Sequence, residues 1–303
     1  MLVVNTRPRQ GARLGELARQ ELQSRGVRLD ELLAVEAPAQ LGEVIRGAVA
    51  AGARTLVVGG GDGTFSTAAN ALAGTEIVLG VLPLGTGNDF ARSLGIPLAL
   101  AGACAVVAAG AATRVDLGRT GERYFVNAAS VGVTSDMTRS LRERPRLKQG
   151  LGRLAYPTVA VGKALASHAF AVELESDGSR LTLRALEVVI GNGRYHGAGR
   201  VIAPDASIQD HVLDLYAILS GHEPARVWRD LLVLARVARK LRAGRHVADP
   251  LVLHLRTPRV HLTATPRKAI DLDGELWGRT PALFECVPDA LRVLAPAREG
   301  PGR

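Results

Sequence analysis

Hydrophobic and polar positions change period once along this chain, and the change divides it in two. Up to about residue 116, short apolar runs alternate with segments whose apolar residues recur at helical spacing. LVVN at 2–5 reads as a strand, 10–25 as an amphipathic helix, 29–35 as a weaker strand and 40–51 as a second helix. Residues 55–58, 64–72, 77–82 and 89–94 continue the alternation as strand, helix, strand and helix. Apolar strands interleaved with helices predict a parallel sheet covered on both faces. From Tyr124 onward period-2 runs take over. Phe170, Val172 and Leu174 alternate with polar residues, Asp177-Gly178 turns the chain, and Leu181 and Leu183 resume the pattern of a hairpin. Further strands are predicted at 188–190, 213–219, 251–255, 260–264 and 268–272. The expected fold class is an α/β N-terminal domain followed by an antiparallel β-sandwich domain. The expected boundaries are 1–119, 120–285, and 286–303 for a last strand and tail that could return to the first domain.

Composition adds to this mainly by exclusion. The 303 residues are 47% hydrophobic and 22% charged, which excludes a disordered or collagen-like chain. The start enters a short apolar strand without the long apolar core of a signal peptide. An uncharged run at 93–113 is long enough to span a bilayer, but it contains Pro97 and is mostly Ala and Gly, so a buried helix is expected there. Cys104 and Cys286 stand in no metal or redox spacing, which fits a reducing cytoplasm.

Charge is distributed unevenly. The net charge is +9. Residues 139–153 hold six basic residues against one acid, and residues 222–246 hold seven against two. The protein is therefore a near-neutral body with two basic patches. Nucleic acid is not indicated: aromatics are only 4% and no binding module is recognisable, so charge alone is weak support.

Two glycine-rich loops carry the chemistry. In TLVVGGGDGTFSTAANAL, at 55–72, an apolar strand runs into Gly59, Gly60 and Gly61 and then a helix expected to open at Thr64. At the edge of a parallel sheet this makes a phosphate site, because glycines let the backbone approach and a helix N-terminus offers free N–H donors. It is not a Walker A loop, since no Gly-Lys-Ser/Thr follows, and Ser66 stands where a full GxGxxG needs glycine. Asp62 inside the loop would repel phosphate unless a cation intervened, which points to Mg²⁺. IVLGVLPLGTGNDFARSLGIP, at 77–97, repeats the construction, with Thr86 in the loop and Asn88 or Asp89 as the helix cap. Both loops are expected at one sheet edge, converging on a polyphosphate.

GGGDGT and LPLGTGNDFARSLGIP resemble the catalytic domain shared by diacylglycerol, sphingosine and ceramide kinases and the bacterial lipid kinases related to them. VNAASVGV (126–133), GNGRYHGAGRVIAPDASIQDHVLDLYAI (191–218) and IDLDGEL (270–276) extend the resemblance along most of the chain. It implies an ATP-dependent lipid kinase, diacylglycerol being the first substrate to consider. ATP would be held by Gly60, Gly61, Asp62, Gly63, Thr64, Ser66, Thr67, Thr86 and Asn88. Asp62, with Asp89 and Asp116, would hold the catalytic Mg²⁺, and Glu275 would be the general base. A structural Mg²⁺ would sit on the Asp210 side chain with the Ser207 and Val212 carbonyls. The Leu-Trp pair after Glu275 predicts a shielded carboxylate.

The chain also departs from the family. Ser66-Thr67 replaces Asn-Glu, Asn5-Thr6-Arg7-Pro8 replaces the N-terminal Asn-Pro-x-Ser-Gly turn, a Thr after the second strand is missing, and Asp210-His211 replaces Asp-Gly. Several nucleotide contacts are thus altered while the acids are kept. Alternatives are an NAD kinase, which shares Gly-Gly-Asp-Gly-Thr, and a non-catalytic membrane-surface sensor of nucleotide or lipid.

The basic patches complete the expectations. Residues 226–242 read as a helix with Val227, Leu231, Leu234, Ala238 and Leu241 on one face and Arg229, Arg236 and Lys240 on the other. The segment 139–153, interrupted by Pro145, reads as a mobile basic loop. Partners expected are a lipid alcohol and an anionic membrane surface met through 139–153 and 222–246, with the protein peripheral at the inner membrane face. Nothing in the sequence sets an oligomeric state.

Overall fold

A computed structural model describes residues 1–5, 11–36, 38–143, 169–197, 199–220, 227–242 and 246–297. The first half alternates as the pattern predicts. Its strands are β1 (Leu2–Asn5), β2 (Leu32–Val35), β3 (Thr55–Gly60) and β4 (Val78–Pro83), and its helices are α1 (Gly11–Ser24), α2 (Pro38–Ala50), α3 (Asp62–Leu72), α4 (Asp89–Ser93) and α5 (Leu100–Ala109). The strands pair in parallel in the order β2-β1-β3-β4. Helix α5 falls inside the uncharged run at 93–113 and buries Ala103, Cys104 and Val107. Among the described residues no helix is long and apolar enough to cross a membrane.

The second half begins with β5 (Ala112–Thr120), β6 (Arg123–Phe125), β7 (Ala128–Gly132) and α6 (Val133–Glu143). It continues with β8 (Phe170–Ser176), β9 (Ser179–Gly191), β10 (Tyr195–His196), β11 (Arg200–Val201), β12 (Leu213–Leu219) and α7 (Val227–Arg242). It ends with β13 (Val252–Thr257), β14 (Arg259–Thr265), β15 (Ala269–Leu272), β16 (Glu275–Arg279) and β17 (Ala282–Leu294). Antiparallel pairing runs β14-β8-β9-β7-β15-β16, with β12 joining β9 to β13. Its core is built from the alternate inward residues, such as Phe170, Val172 and Leu174. The fold class is thus the α/β half with parallel strands followed by an antiparallel β-sandwich-like half.

Strand β17 joins the two. Its start pairs antiparallel with β14, most of its length runs antiparallel to β5, and Arg292 and Val293 pair in parallel with Val78 and Leu79 of β4. A bulge between Val287 and Leu291, where Asp289 takes a φ of 52°, bends the strand from one half into the other.

Two expectations about the basic patches need correction. Residues 139–143 are the end of helix α6 and not part of a loop; residues 144–153, 222–226 and 243–245 lie outside the described residues. On α7 the buried residues are Asp230 and Val237, with Val233 half-buried beside Val237 over Tyr216, Ile202 and Val252, while Leu231 and Leu234 are half-buried and Ala238 is exposed. Arg236 and Lys240 are only partly solvated. Their cationic groups lie 2.8 and 2.7 Å from Asp249 Oδ2, whose side chain is fully buried. Burial pushes the Asp249 carboxyl up, but Lys240, the Leu251 N–H and Arg236 outweigh it and hold the group at about 2. Replacing both Arg236 and Lys240 by Ala leaves that charge with the Leu251 N–H alone, and should cost about 1–2 kcal/mol in denaturant unfolding.

Glu187 in the middle of β9 is the opposite case. Burial pushes its carboxyl up to about 8, against the N–H and hydroxyl of Thr134, with the charge of Asp271 adding to the rise. A carboxyl whose folded value is raised binds more protons folded than unfolded, so its contribution is complete below about pH 4 and is lost as pH rises toward 8. The Tm of the wild type should therefore fall more between pH 5 and pH 8.5 than that of Glu187→Gln. Equal falls in the two proteins would contradict this.

Candidate active site

The two glycine loops meet at the end of β3 and β4. Leu84 N–H donates to the Gly60 carbonyl at 2.8 Å, and a Cβ on Gly85 would stand 2.5 Å from the Gly61 Cα. No side chain fits there, so the glycines are required by backbone contact between loops. Helix α3 opens at Asp62, two residues earlier than expected, with Gly61 as its cap and the N–H groups of Thr64 and Phe65 on the Gly61 carbonyl. Phe65, Ala68, Ala69 and Leu72 bury its inner face.

Asn88 is not an ordinary helix cap. It sits at φ 54°, and its side-chain amide exchanges two 3.0 Å hydrogen bonds with the backbone of Gly85. Asparagine tolerates this left-handed conformation and here closes the second loop on itself. Thr86 is exposed in that loop, while the Thr64 hydroxyl accepts from Asn5 Nδ2 at 3.0 Å and the Thr67 hydroxyl donates to the Gly63 carbonyl.

Asp62 is the centre of the arrangement. Its Oδ1 accepts the Phe90 N–H at 3.0 Å and the Asn127 side-chain amide at 3.3 Å. Burial, and then the neighbouring charge of Asp89, push its carboxyl up, while the Phe90 N–H pulls it down. Asp89 is buried beside it and accepts the Gly199 N–H. Two carboxylates so placed favour a cation between or beside them, and Mg²⁺ is commonly held by one or two carboxylates completed by water and phosphate. The donor set fits.

Asp273 links this pair to the other half of the molecule. Its carboxylate accepts the N–H groups of Val126, Asn127 and Ala128 at 2.8, 2.9 and 3.2 Å, and the Ser66 hydroxyl of α3 as well. Burial nevertheless raises its pKa. Ser66, one of the departures from the family, thus ties the helix of the first loop to the strand carrying Glu275. A second tie is reciprocal: Asn70 Nδ2 donates to the Tyr124 carbonyl, and Tyr124 N–H donates back to Asn70 Oδ1, both at 2.9 Å. His196 of β10 stands among the charges of Asp89, Asp273 and Asp62, yet burial lowers its pKa and favours the neutral ring.

Glu275 is not shielded by Leu276 and Trp277. Its side chain is 59% exposed, and its carboxylate lies 3.5 Å from the Arg123 guanidinium, which also covers the Trp277 ring. Strand β16 turns Trp277 toward Arg123 and solvent, not over the acid.

The remaining acids group elsewhere. Asp116 is buried, and its oxygens accept the N–H groups of His211 and Asp289 at 2.8 and 2.9 Å and face His211 Nδ1 at 3.0 Å. It braces the 207–212 loop. His211 occupies a left-handed position, φ 63°, where glycine would be free, and its bonds to Asp116 hold it there. Asp210 accepts the N–H groups of Ser207 and Val212, and the Arg256 guanidinium lies against the same carboxylate.

Sequence reasoning missed Asn127, Asp273, Arg123 and His196. The signal for the first two was present in VNAASVGV and IDLDGEL, which bring an amide and a second aspartate to the same strands. Nothing in the sequence indicated that Arg123 would reach Glu275.

Comparison with known proteins identifies both halves of the chain. The diacylglycerol kinase catalytic domain matches residues 1–120, and the YegS C-terminal NAD kinase beta sandwich-like domain matches residues 127–295. A "Probable lipid kinase YegS-like" of Pseudomonas putida is 36% identical over 252 residues, 82% of this chain and 80% of that protein. Its counterpart in Pseudomonas aeruginosa PAO1 is 34% identical over 84% of this chain and 80% of its own. The chain belongs to the YegS-like lipid kinase family, and ATP use comes with that membership. Among solved structures, one from Bacillus anthracis str. Sterne superposes with a TM-score of 0.76 at 22% identity, covering 97% of this chain and 96% of the other. A diacylglycerol kinase from the same organism gives 0.69 at 19% identity, with coverages of 97% and 95%. At these identities the likeness is one of fold.

Proposed function

We propose that the chain transfers the γ-phosphoryl group of ATP to the free hydroxyl of diacylglycerol, giving phosphatidic acid and ADP. The observation that carries this reading is the bonded path Asp62–Asn127–Asp273, which joins the glycine loops to the turn bearing Glu275. Phosphoryl transfer to an alcohol needs positioning, charge neutralisation and one base. The backbone of Gly60, Gly61, Gly63 and Gly85 takes the phosphates at close range. Asp62 and Asp89 would hold Mg²⁺, whose charge would offset that of the phosphate oxygens. Glu275 accepts the proton of the lipid hydroxyl as its oxygen bonds to the γ-phosphorus and the bridging oxygen leaves with ADP. Arg123 lies 3.5 Å from that carboxylate and positions it. Asp116 is not needed in this site.

The membrane is approached through α7 in this reading. Leu232 is 70% exposed on α7, and Arg239 is exposed on the same helix, whereas Arg236 and Lys240 are engaged with Asp249. An exposed large apolar residue on a helix that also carries a basic side chain suits an anionic bilayer. Leu232→Asp should weaken binding to phosphatidylglycerol vesicles without lowering Tm. Unchanged vesicle binding would remove α7 from the docking surface.

The substrate is tested by a panel of diacylglycerol, monoacylglycerol, ceramide, sphingosine and NAD, each with ATP and Mg²⁺. Diacylglycerol should give the highest kcat/KM. NADP formed faster than any phospholipid would reverse the reading.

A further inference from the structure

A cavity of about 270 Å³ lies between β9, β12, α6 and α7. Met137, Val189, Ile218, Val237, Leu241 and Val252 make its walls apolar, and His196 gives it one wall in common with the acids of the active site. Three polar atoms of its lining residues are buried without a hydrogen-bond partner among the described residues: Glu187 Oε1, Tyr216 Oη and His246 Nδ1. An unsatisfied buried polar group costs about 1–3 kcal/mol, so three around one cavity call for a ligand that carries polar atoms.

The bonds these residues already make define what is missing. Glu187 Oε2 accepts the Thr134 N–H at 3.0 Å, so the free Oε1 carries the proton of the neutral acid and donates. His246 Nε2 lies 2.6 Å from the Ile202 carbonyl and must donate to it, which leaves Nδ1 as an acceptor. Tyr216 Oη can serve either way. The cavity therefore offers a donor, an acceptor and one adaptable hydroxyl in apolar surroundings. Its volume falls just below the usual range of ligand pockets, ~300–1,000 Å³, enough for part of one chain and not for a two-chain lipid.

We propose that this cavity seats one acyl chain of the acceptor lipid and reads its ester carbonyl, with Glu187 and Tyr216 as the donors. The proposal rests on the lipid kinase reading and sharpens it. The enzyme discriminates acylglycerols from lipid alcohols that lack a carbonyl near the hydroxyl. An ether-linked chain fills the same space but leaves both donors unpaired, and a sphingoid base brings an ammonium where a neutral acid and a neutral imidazole stand.

The test compares dioctanoylglycerol with its dioctyl ether analogue in the full-length protein. The wild type should favour the ester in kcat/KM by about tenfold or more, the equivalent of one buried hydrogen bond. Glu187→Met should lower that ester-to-ether ratio by about the same factor, Glu187→Gln should restore it by supplying an N–H donor, and Tyr216→Phe should lower it independently. Calorimetric titration with dioctanoylglycerol in the absence of ATP reads the cavity without turnover. Ester binding with no phosphoryl transfer would keep the cavity and overturn the kinase reading. Transfer with equal use of ester and ether, an unchanged ratio in both variants, or a preference for sphingosine would overturn the cavity proposal and leave the kinase reading standing.

Discussion

Asp62→Asn should lower kcat/KM for phosphoryl transfer by about 10³-fold or more while the protein remains as stable as the wild type. The two halves of this expectation come from the same geometry. Asparagine keeps the Oδ1 acceptor that the Phe90 N–H and the Asn127 amide use, so those two bonds survive. It removes the negative charge that burial and Asp89 make unfavourable in the apo fold. A carboxyl whose folded pKa is raised weakens the fold when ionised, so its neutral isostere at pH 7 does not lower Tm. The charge is costly for the fold and needed for the chemistry. A variant with wild-type activity would show that Asp62 is a structural member of the loop. A variant that unfolds would show that the account of its hydrogen bonds is wrong.

Glu275→Gln should lower kcat by about 10²–10⁴-fold, the usual contribution of a positioned base, with ATP affinity unchanged. Among the described residues Glu275 bonds to Arg123 and to no residue of the glycine loops, so nucleotide binding should not depend on its charge. Exposure matters for the interpretation. A base open to solvent in the apo protein becomes sheltered when a lipid covers it, and hydrogen bonds of catalytic groups commonly tighten only in the complex. Measuring ATP affinity and single-turnover rate on the same variant separates the roles. Parallel loss of both would assign Glu275 to the nucleotide site. A wild type without turnover, but with ATP bound, would favour the sensor.

The fold was legible where local pattern decides. Strand–loop–helix units around GGGDGT and LGTGND are local, and the hairpin at Asp177-Gly178 is written in alternation and turn chemistry. What was not legible depends on partners far along the chain. The periodicity of α7 admits several apolar stripes, and the one chosen is set by Asp249, which captures Arg236 and Lys240 from outside the helix. Strand β17 crosses between halves because of a bulge at Asp289, which no period announces. Of the acids, Asp62 and Asp89 converge because their loops are adjacent in the sheet. Asp116 and Asp210 do not join them: Asp116 accepts the N–H groups of His211 and Asp289, and Asp210 pairs with Arg256, contacts set by residues far along the chain. Glu275 is exposed because β16 is the edge strand of its sheet and most of its residues face solvent, so an apolar neighbour in sequence covers nothing there.

If the glycine loops and Glu275 act together on ATP and a lipid hydroxyl, mixing the full-length protein with γ-labelled ATP, Mg²⁺ and dioctanoylglycerol should put label in phosphatidic acid with the wild type and almost none with Asp62→Asn or Glu275→Gln. Label that never reaches a lipid alcohol, or that reaches it equally in all three proteins, would contradict this.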